Sequence, residues 1–126
     1  MLESIHQSSC QPIAEKLLDL AVIKQKAIAS NIANVETPGY KRLQVENSFE
    51  QQLLKQLKEA PQGAKMMPLE LVKDTQTQAT RPDGNNVTLE SEMMHMNKNA
   101  LEYEFLTQVM SNNFREIHTA ITGRSS

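Results

Sequence analysis

The sequence predicts a mainly α protein in which two long terminal helices pair as an antiparallel, coiled-coil-like hairpin, with an irregular or partly disordered middle that contains one short helix. Three observations predict it: a long heptad-spaced apolar row near the C-terminus, a shorter matched row near the N-terminus, and a cluster of prolines and glycines between them. The chain divides accordingly into an N-terminal helix region (1–35), a turn motif with an irregular middle (36–86), and a C-terminal helix region (87–126).

The C-terminal row is the clearest. Leu89, Met93, Met96, Ala100, Tyr103, Thr107, Met110, Phe114, Ile117 and Ile121 follow 4-3-4-3 spacing, with Thr107 the one polar member. A repeat of about 3.5 residues keeps one seam facing a partner helix as the two wind around each other. Asp83-Gly84 supplies a turn before this helix, Glu90 and Glu92 suit the positive dipole of its first turn, and Gly123 marks its end.

In the first segment, from about Ile13 to Val35, the residues Ala14, Leu18, Ala21, Gln25, Ile28, Ile32 and Val35 repeat the same spacing. The two helices are therefore matched, but at about 1.5 Å per residue the first spans roughly 35 Å and the second roughly 50 Å. Part of the second is expected to overhang. Each helix also carries a further apolar row: Ile13, Leu17, Leu20 and Ala27 on the first, Leu101, Phe105 and Val109 on the second. A hairpin buries one row per helix, and a contiguous apolar patch left in water marks an interface. Packing between subunits, rather than the middle of the chain, is expected to cover these rows.

The middle holds four of the five prolines, at Pro38, Pro61, Pro68 and Pro82, and three of the four glycines, at Gly39, Gly63 and Gly84. Such punctuation excludes long helices. One short helix is expected over Phe49 to Ala60, where Phe49, Leu53 and Leu57 recur every four residues and Pro61-Gln62-Gly63 ends it. Thr75 to Thr80 is polar and lacks alternating apolar residues, so it reads as a mobile loop rather than a strand, disordered or ordered by a partner.

Composition narrows the function. Aromatic residues make up 4% of the chain, Trp is absent, and the mean hydropathy is −0.49, so a helical seam is a better core than a cluster of rings. A net charge of −2 leaves no basic face for nucleic acid. No apolar run approaches the roughly 20 residues of a membrane span, and Met1 to Cys10 lacks the pattern of a cleavable signal. Cys10 is the single cysteine and has no internal disulfide partner.

Catalytic and metal chemistry find little support. His6, His95 and His118 lack the short spacing that sets two ligands on one helix face, and Met93 and Met96 in the Met-rich run fall in the seam, where thioethers fill gaps. Tyr40-Lys41-Arg42 has no nucleophile and base beside it. The expectation is no enzyme activity, no cofactor, no metal and no small-molecule substrate.

Between the first helix and the middle lies Ser30-Asn31-Ile32-Ala33-Asn34-Val35-Glu36-Thr37-Pro38-Gly39-Tyr40-Lys41. Pro38 and Gly39 suit the two central positions of a type II turn, and Asn31 and Asn34, three apart, share a helix face from which they can hydrogen-bond to a neighbouring backbone. This string closely resembles the Asn-x-Ala-Asn-x-x-Thr-Pro-Gly-Tyr-Lys signature of the flagellar rod and hook axial proteins, carried here by Asn31, Ala33, Asn34, Thr37, Pro38, Gly39, Tyr40 and Lys41. The stretch from Asp83-Gly84-Asn85-Asn86-Val87 to Gly123, with its Glu92-Met93 pair, and the short length are similar to the proximal-rod members of that family.

The resemblance implies a structural subunit of the bacterial flagellar basal-body rod, in the periplasm, exported without a cleaved signal peptide by the flagellar type III apparatus. It implies polymerisation through the terminal helices to transmit torque and wall the export channel. The partners it implies are further copies of the chain, FlgC-like rod proteins and the adaptor FliE. Under this reading Leu18, Ala21, Ile28 and Ile32, with the C-terminal seam from Leu89 to Ile121, are assembly residues. A soluble helical adaptor or chaperone module is the alternative of a different class.

Overall fold

The computed structural model describes residues 2–59, 70–79 and 81–123, with side-chain surroundings from residue 12 onward apart from 47, 54, 56 and 57. The expected stop at Pro61-Gln62-Gly63, with Pro68 and Thr80, lies outside the described residues, as do the side-chain surroundings of His6, Cys10 and Leu57. Chain order is α1 (Leu2–Ala33), β1 (Leu43–Val45), α2 (Asn47–Glu59), β2 (Leu71–Lys73) and α3 (Leu89–Thr122).

The two terminal helices are present, as is the short helix between them. α1 is longer than its apolar row suggested, because it continues through Pro12 to Leu2. At 32 and 34 residues, α1 and α3 span roughly 48 and 51 Å, so the expected overhang of one helix over a much shorter one disappears. The apolar periodicity begins only near Ile13, and the helix extends beyond it although a proline inside a helix forfeits one backbone bond and crowds the preceding turn. α3 ends as expected: Gly123 takes a left-handed conformation (φ 64°) and its N–H donates to the Thr119 carbonyl at 2.8 Å.

The middle contains a two-stranded antiparallel sheet that periodicity did not reveal. Leu43 faces Lys73, Gln44 faces Val72 and Val45 faces Leu71. Strands of three residues are too short to display an alternating pattern. The loop after β2 is also more structured than its composition implies. Asp74 Oδ1 accepts the backbone N–H groups of Gln76 (2.9 Å) and Thr77 (3.0 Å), forming an Asx turn, and its Oδ2 accepts the Thr77 hydroxyl at 2.5 Å.

The apolar core is small and lies to one side. Leu20, Val45, Phe49 and Leu53 are buried together, with Leu17 and Ile23 half-buried against them. The middle of the chain therefore folds back over the second row of α1, and Leu20 is only 4% exposed. For α1 this corrects the expectation that other subunits cover that row. The physical reason is that Phe49 and Leu53, four apart on one helical face, suffice to cap a narrow stripe, with Val45 extending the cover. No such cover reaches α3, where Leu101 and Phe105 stand 68% and 67% exposed.

Contacts between the long helices run down α1 as they run up α3. Glu92 meets Asn31, Asn99 meets Ala21 and Gln25, and Phe105 and Leu106 line a cleft shared with Leu17 and Leu20. The face that α3 turns towards α1 carries Glu92, Met96, Asn99 and Leu106, displaced by about one residue from much of the heptad row. Of that row Met96 lies on this face, while Glu92, Asn99 and Leu106 each stand one position before a row member. The offset was hidden because the two fully committed positions, Glu92 and Asn99, are polar and hydrogen-bonded instead of apolar.

Candidate functional site

The motif residues and the approach to α3 form one polar staple, where the end of α1, the start of α3 and the sheet converge. It begins with the turn. The Tyr40 N–H donates to the Thr37 carbonyl at 3.3 Å around Pro38 and Gly39, and Gly39 has φ +71°, as the third position of a type II turn requires. A second turn precedes α3: the Gly84 N–H donates to the Arg81 carbonyl at 3.1 Å across Pro82 and Asp83. The turns are tied together by Lys41, whose Nζ donates to the Gly84 carbonyl at 2.5 Å.

Asn31 is fully buried and its amide behaves like an extra length of strand. Its Oδ1 accepts the Leu43 N–H at 2.8 Å and its Nδ2 donates to the Leu43 carbonyl at 2.9 Å, completing the edge of β1 that faces α1. The same amide donates to Glu92 Oε2 at 3.1 Å, while Oδ1 also accepts the Tyr40 hydroxyl at 3.2 Å. Since Tyr40 donates there, the 3.0 Å contact with Ser30 is a hydrogen bond from the serine. Every donor and acceptor of the buried Asn31 amide is thus used.

Two neighbouring asparagines repeat the device. Asn85 Nδ2 donates to the carbonyls of Asn34, Val35 and Thr37 at 2.9–3.1 Å, capping the end of α1 from 50 residues away, and its Oδ1 accepts the Val87 N–H at 2.8 Å. Asn86 stands between the strands: Arg42 N–H donates to its Oδ1 (2.7 Å), and its Nδ2 donates to the Asp74 carbonyl (3.0 Å). It thereby bridges the pair whose other link is Asp74 N–H to the Arg42 carbonyl at 2.7 Å. Asn34 acts locally, donating to the Ser30 carbonyl and accepting the Thr37 hydroxyl.

Charge is concentrated at the same point. Arg42 Nε donates to Glu92, which is 0% exposed, and its other arm reaches Gln44 at 3.2 Å and Asp74 at 3.4 Å. Burial pushes the Asp74 carboxyl up, but the hydroxyl and N–H of Thr77, the N–H of Gln76 and the Arg42 charge outweigh it and hold the carboxyl below its ordinary range. One guanidinium thus links the first strand, the second strand and α3. Its charge is taken up by carboxylates of the same chain.

With this geometry in view, the relatives are decisive. A family model described as flagella basal body rod protein matches residues 18–41, the run from α1 through the turn. Over 119 residues the chain is 34% identical to flagellar basal body rod protein FlgB of Bacillus subtilis (strain 168), covering 86% of this chain and 90% of that protein. The chain belongs to the FlgB family of flagellar basal body rod proteins. FlgB of Borrelia hermsii is 28% identical over 125 residues (86% of this chain, 93% of that protein) and FlgB of Borreliella burgdorferi 26% over 126 (86% and 92%). The FlgB family is structural, not enzymatic, and its members are components of the flagellar rod assembly.

Within this FlgB-family chain the motif residues divide by burial. Asn31 is buried, Asn34 and Tyr40 are half-buried, and Ala33, Thr37, Pro38, Gly39 and Lys41 are exposed. Of the heptad rows, Ala21 and Ile28 are buried and Leu18 and Ile32 half-buried on α1. On α3, Met96 and Met110 are half-buried, whereas Leu89, Met93, Ala100, Tyr103, Phe114, Ile117 and Ile121 are exposed. Sequence reading missed Arg42, Asp74, Asn85 and Asn86 as partners. For Asn85 and Asn86 a signal was present, an asparagine pair directly after a Pro-Asp-Gly turn, a poor helix start with two side-chain amides in need of partners.

Proposed function

We propose that this chain is a proximal-rod subunit that polymerises through its terminal helices, transmits torque and contributes to the wall of the export channel. The observation that carries the proposal is the pair of apolar stripes that α3 leaves uncovered. One contains Met93, Tyr103, Phe114, Ile117 and Ile121; the other contains Leu101 and Phe105. At about 100° per residue, Phe105 and Phe114 lie about 180° apart around the helix, so the stripes look in opposite directions. A single self-complementary patch closes a dimer, whereas two different patches on one chain allow an open polymer.

In this reading α1 and α3 act as an antiparallel, coiled-coil-like unit, supported by the descending order of their contacts. The staple fixes the angle and register at which residues 1–35 and 87–126 are presented, and the exposed residues of the row from Leu89 to Ile121 form the assembly surface, backed from within the chain by Leu18, Ala21, Ile28 and Ile32. Torque would pass through large packed helix surfaces with no bond made or broken. Further copies, FlgC-like rod proteins and FliE are the neighbours, and the chain is exported by the type III apparatus without signal cleavage to the periplasmic rod. No helix among the described residues is long and apolar enough to cross a membrane.

The test is basal-body electron microscopy of a strain lacking the chain, complemented by the unaltered gene or by Met110→Asp with Phe114→Asp. Rodless rings are expected in the deletion and in the double variant, with rods restored by the unaltered copy. Intact rods in the deletion would overturn the rod function and favour the soluble adaptor; intact rods in the double variant would overturn the seam alone.

A further inference from the structure

The α1–α3 pair is covered on one side and open on the other. Asn99 meets Ala21, and the residues flanking this contact mark the two sides. Those just before it, Leu20 and Lys98, lie towards the middle of the chain: Leu20 is buried against Phe49 and Leu53, and Lys98 lines a pocket with β1 and Glu50. Those just after it, Val22 and Ala100, are turned from them by about 200°, since each residue advances a helix by about 100°. In an antiparallel pair, turning the same way round each helix leads to the same side of the pair. Val22 and Ala100 therefore look out together, away from α2, and both are exposed.

An apolar groove runs between the helices on this open side. On α1, Leu18, Val22, Gln25, Ala29 and Ile32 follow 4-3-4-3 spacing, and on α3 Met93, Met96, Ala100 and Tyr103 keep the same repeat. Met96 is half-buried in the α1–α3 contact, so the groove carries a packed seam out to the surface. Ala29, Val22 and Ala100 are small, while Met93 and Tyr103, 48% and 47% exposed, stand along the α3 wall. Two helices with small residues facing a shared groove leave holes that the side chains of a third helix fill.

Side chains of that size and spacing stand on another face of α3. Met94, Leu101 and Phe105 are 70%, 68% and 67% exposed and lie within about 40° of one another round the helix. They are spaced by seven and four residues, and so, in the reverse direction along α1, are Ala29, Val22 and Leu18. The helices run antiparallel, with Glu92 at Asn31 and Leu106 beside Leu17, so these three positions of α1 are level with residues 94, 101 and 105 of α3. Large knobs and small holes thus occur at the same three heights. A chain cannot fill its own groove, because Leu101 points about 160° away from the Asn99 side of α3.

We propose, resting on the polymerising-subunit reading, that the ridge Met94–Leu101–Phe105 of one copy seats in the open α1–α3 groove of the next, with Leu101 between Val22 and Ala100. Neighbouring α3 helices then run parallel at nearly one height, since a reversed neighbour would misplace the middle knob. Ridge and groove are different surfaces, so every added copy presents one of each and the contact propagates instead of closing a pair. α1 takes part through Val22 and Ala29.

Cysteine cross-linking of assembled rods tests it, in a strain lacking the native gene and with Cys10→Ser throughout. Rods built from a mixture of Val22→Cys chains and Leu101→Cys chains are expected to give dimers on mild oxidation, and chains carrying both changes a ladder of multimers. Either cysteine alone is expected to stay monomeric. The two sites point to different sides of one helix pair and cannot bond within a chain, since bridged Cα atoms lie within about 7 Å. Rods without mixed dimers, or dimers from Leu101→Cys alone, would overturn the docking and leave the rod function standing. If the cysteine chains build no rods, Leu101→Glu and Val22→Glu decide. Each is expected to keep the denaturant midpoint of the unaltered chain when purified, because both positions are exposed, and to lower the number of rods at least about tenfold. Normal rod numbers from either variant, or rod loss with a lowered midpoint, would count against the docking. Failure of the unaltered copy to restore rods would instead sink the rod reading itself.

Discussion

Among the described side chains, those buried along α1 are Ala14, Leu20, Ala21, Ala27, Ile28 and Asn31, and those along α3 are Glu92 and Asn99. The helices are almost equal in length, yet α1 is packed on two sides, by α2 and by α3, while α3 touches the rest of the chain along one polar-studded face. The difference teaches how a small chain can be specific before it is assembled. Apolar contact around Leu20 supplies burial; the polar staple supplies one fixed geometry; the large residues of α3 stay in reserve.

The sharpest way to break this division is at Arg42. Arg42→Ala leaves Glu92 buried without its cation, and removing one partner of a buried pair costs about 3–5 kcal/mol. Denaturant unfolding of the purified chain measures it, and a loss under about 1 kcal/mol would show the staple to be dispensable. Leucines on the two helices give the next comparison. Leu20→Ala is expected to cost about 2–5 kcal/mol as a core truncation, and Leu101→Ala to stay within about 0.5 kcal/mol as a surface change. Equal costs would mean that the helices are not differently packed.

Gly39→Ala is expected to cost about 1–2 kcal/mol. The cost comes from the left-handed backbone, since a Cβ there would meet only the Asp83 carbonyl oxygen at an ordinary 3.8 Å. Thermal unfolding of that variant reads the effect, and an unchanged midpoint would show that the turn relaxes freely. The smallest effect is acid sensitivity. A carboxyl held below its ordinary value contributes stability that is present above the unfolded-state pKa near 3.9 and is lost as pH falls through the lower folded value. Stability measured from pH 6 downwards should therefore decline more shallowly below about pH 4 in Asp74→Asn than in the unaltered chain.

Legibility followed the length of the signal. α3 carries ten seam positions at fixed spacing, and the Phe49–Leu53 pair placed α2 within two residues of its start. The Pro38-Gly39 turn was readable because only a residue without a side chain enters the left-handed region cheaply. Arg42 and Asp74 gave no such sign: the partners that define them are 50 and 32 residues away in sequence. Asn99 carried no signal in the sequence, yet its amide crosses to the Ala21 carbonyl at 2.9 Å and to Gln25 at 3.1 Å.

By itself the sequence determined the helices, the turn and the excess of apolar surface over what one hairpin can bury, because periodicity, proline and glycine act on neighbours within a turn or two. Only the tertiary structure decided which face of α3 meets α1 and which stripes remain open. That choice rests on buried polar groups finding partners across tens of residues, and an unpaired buried carboxylate or amide is costly enough to override an apolar row that water leaves merely exposed.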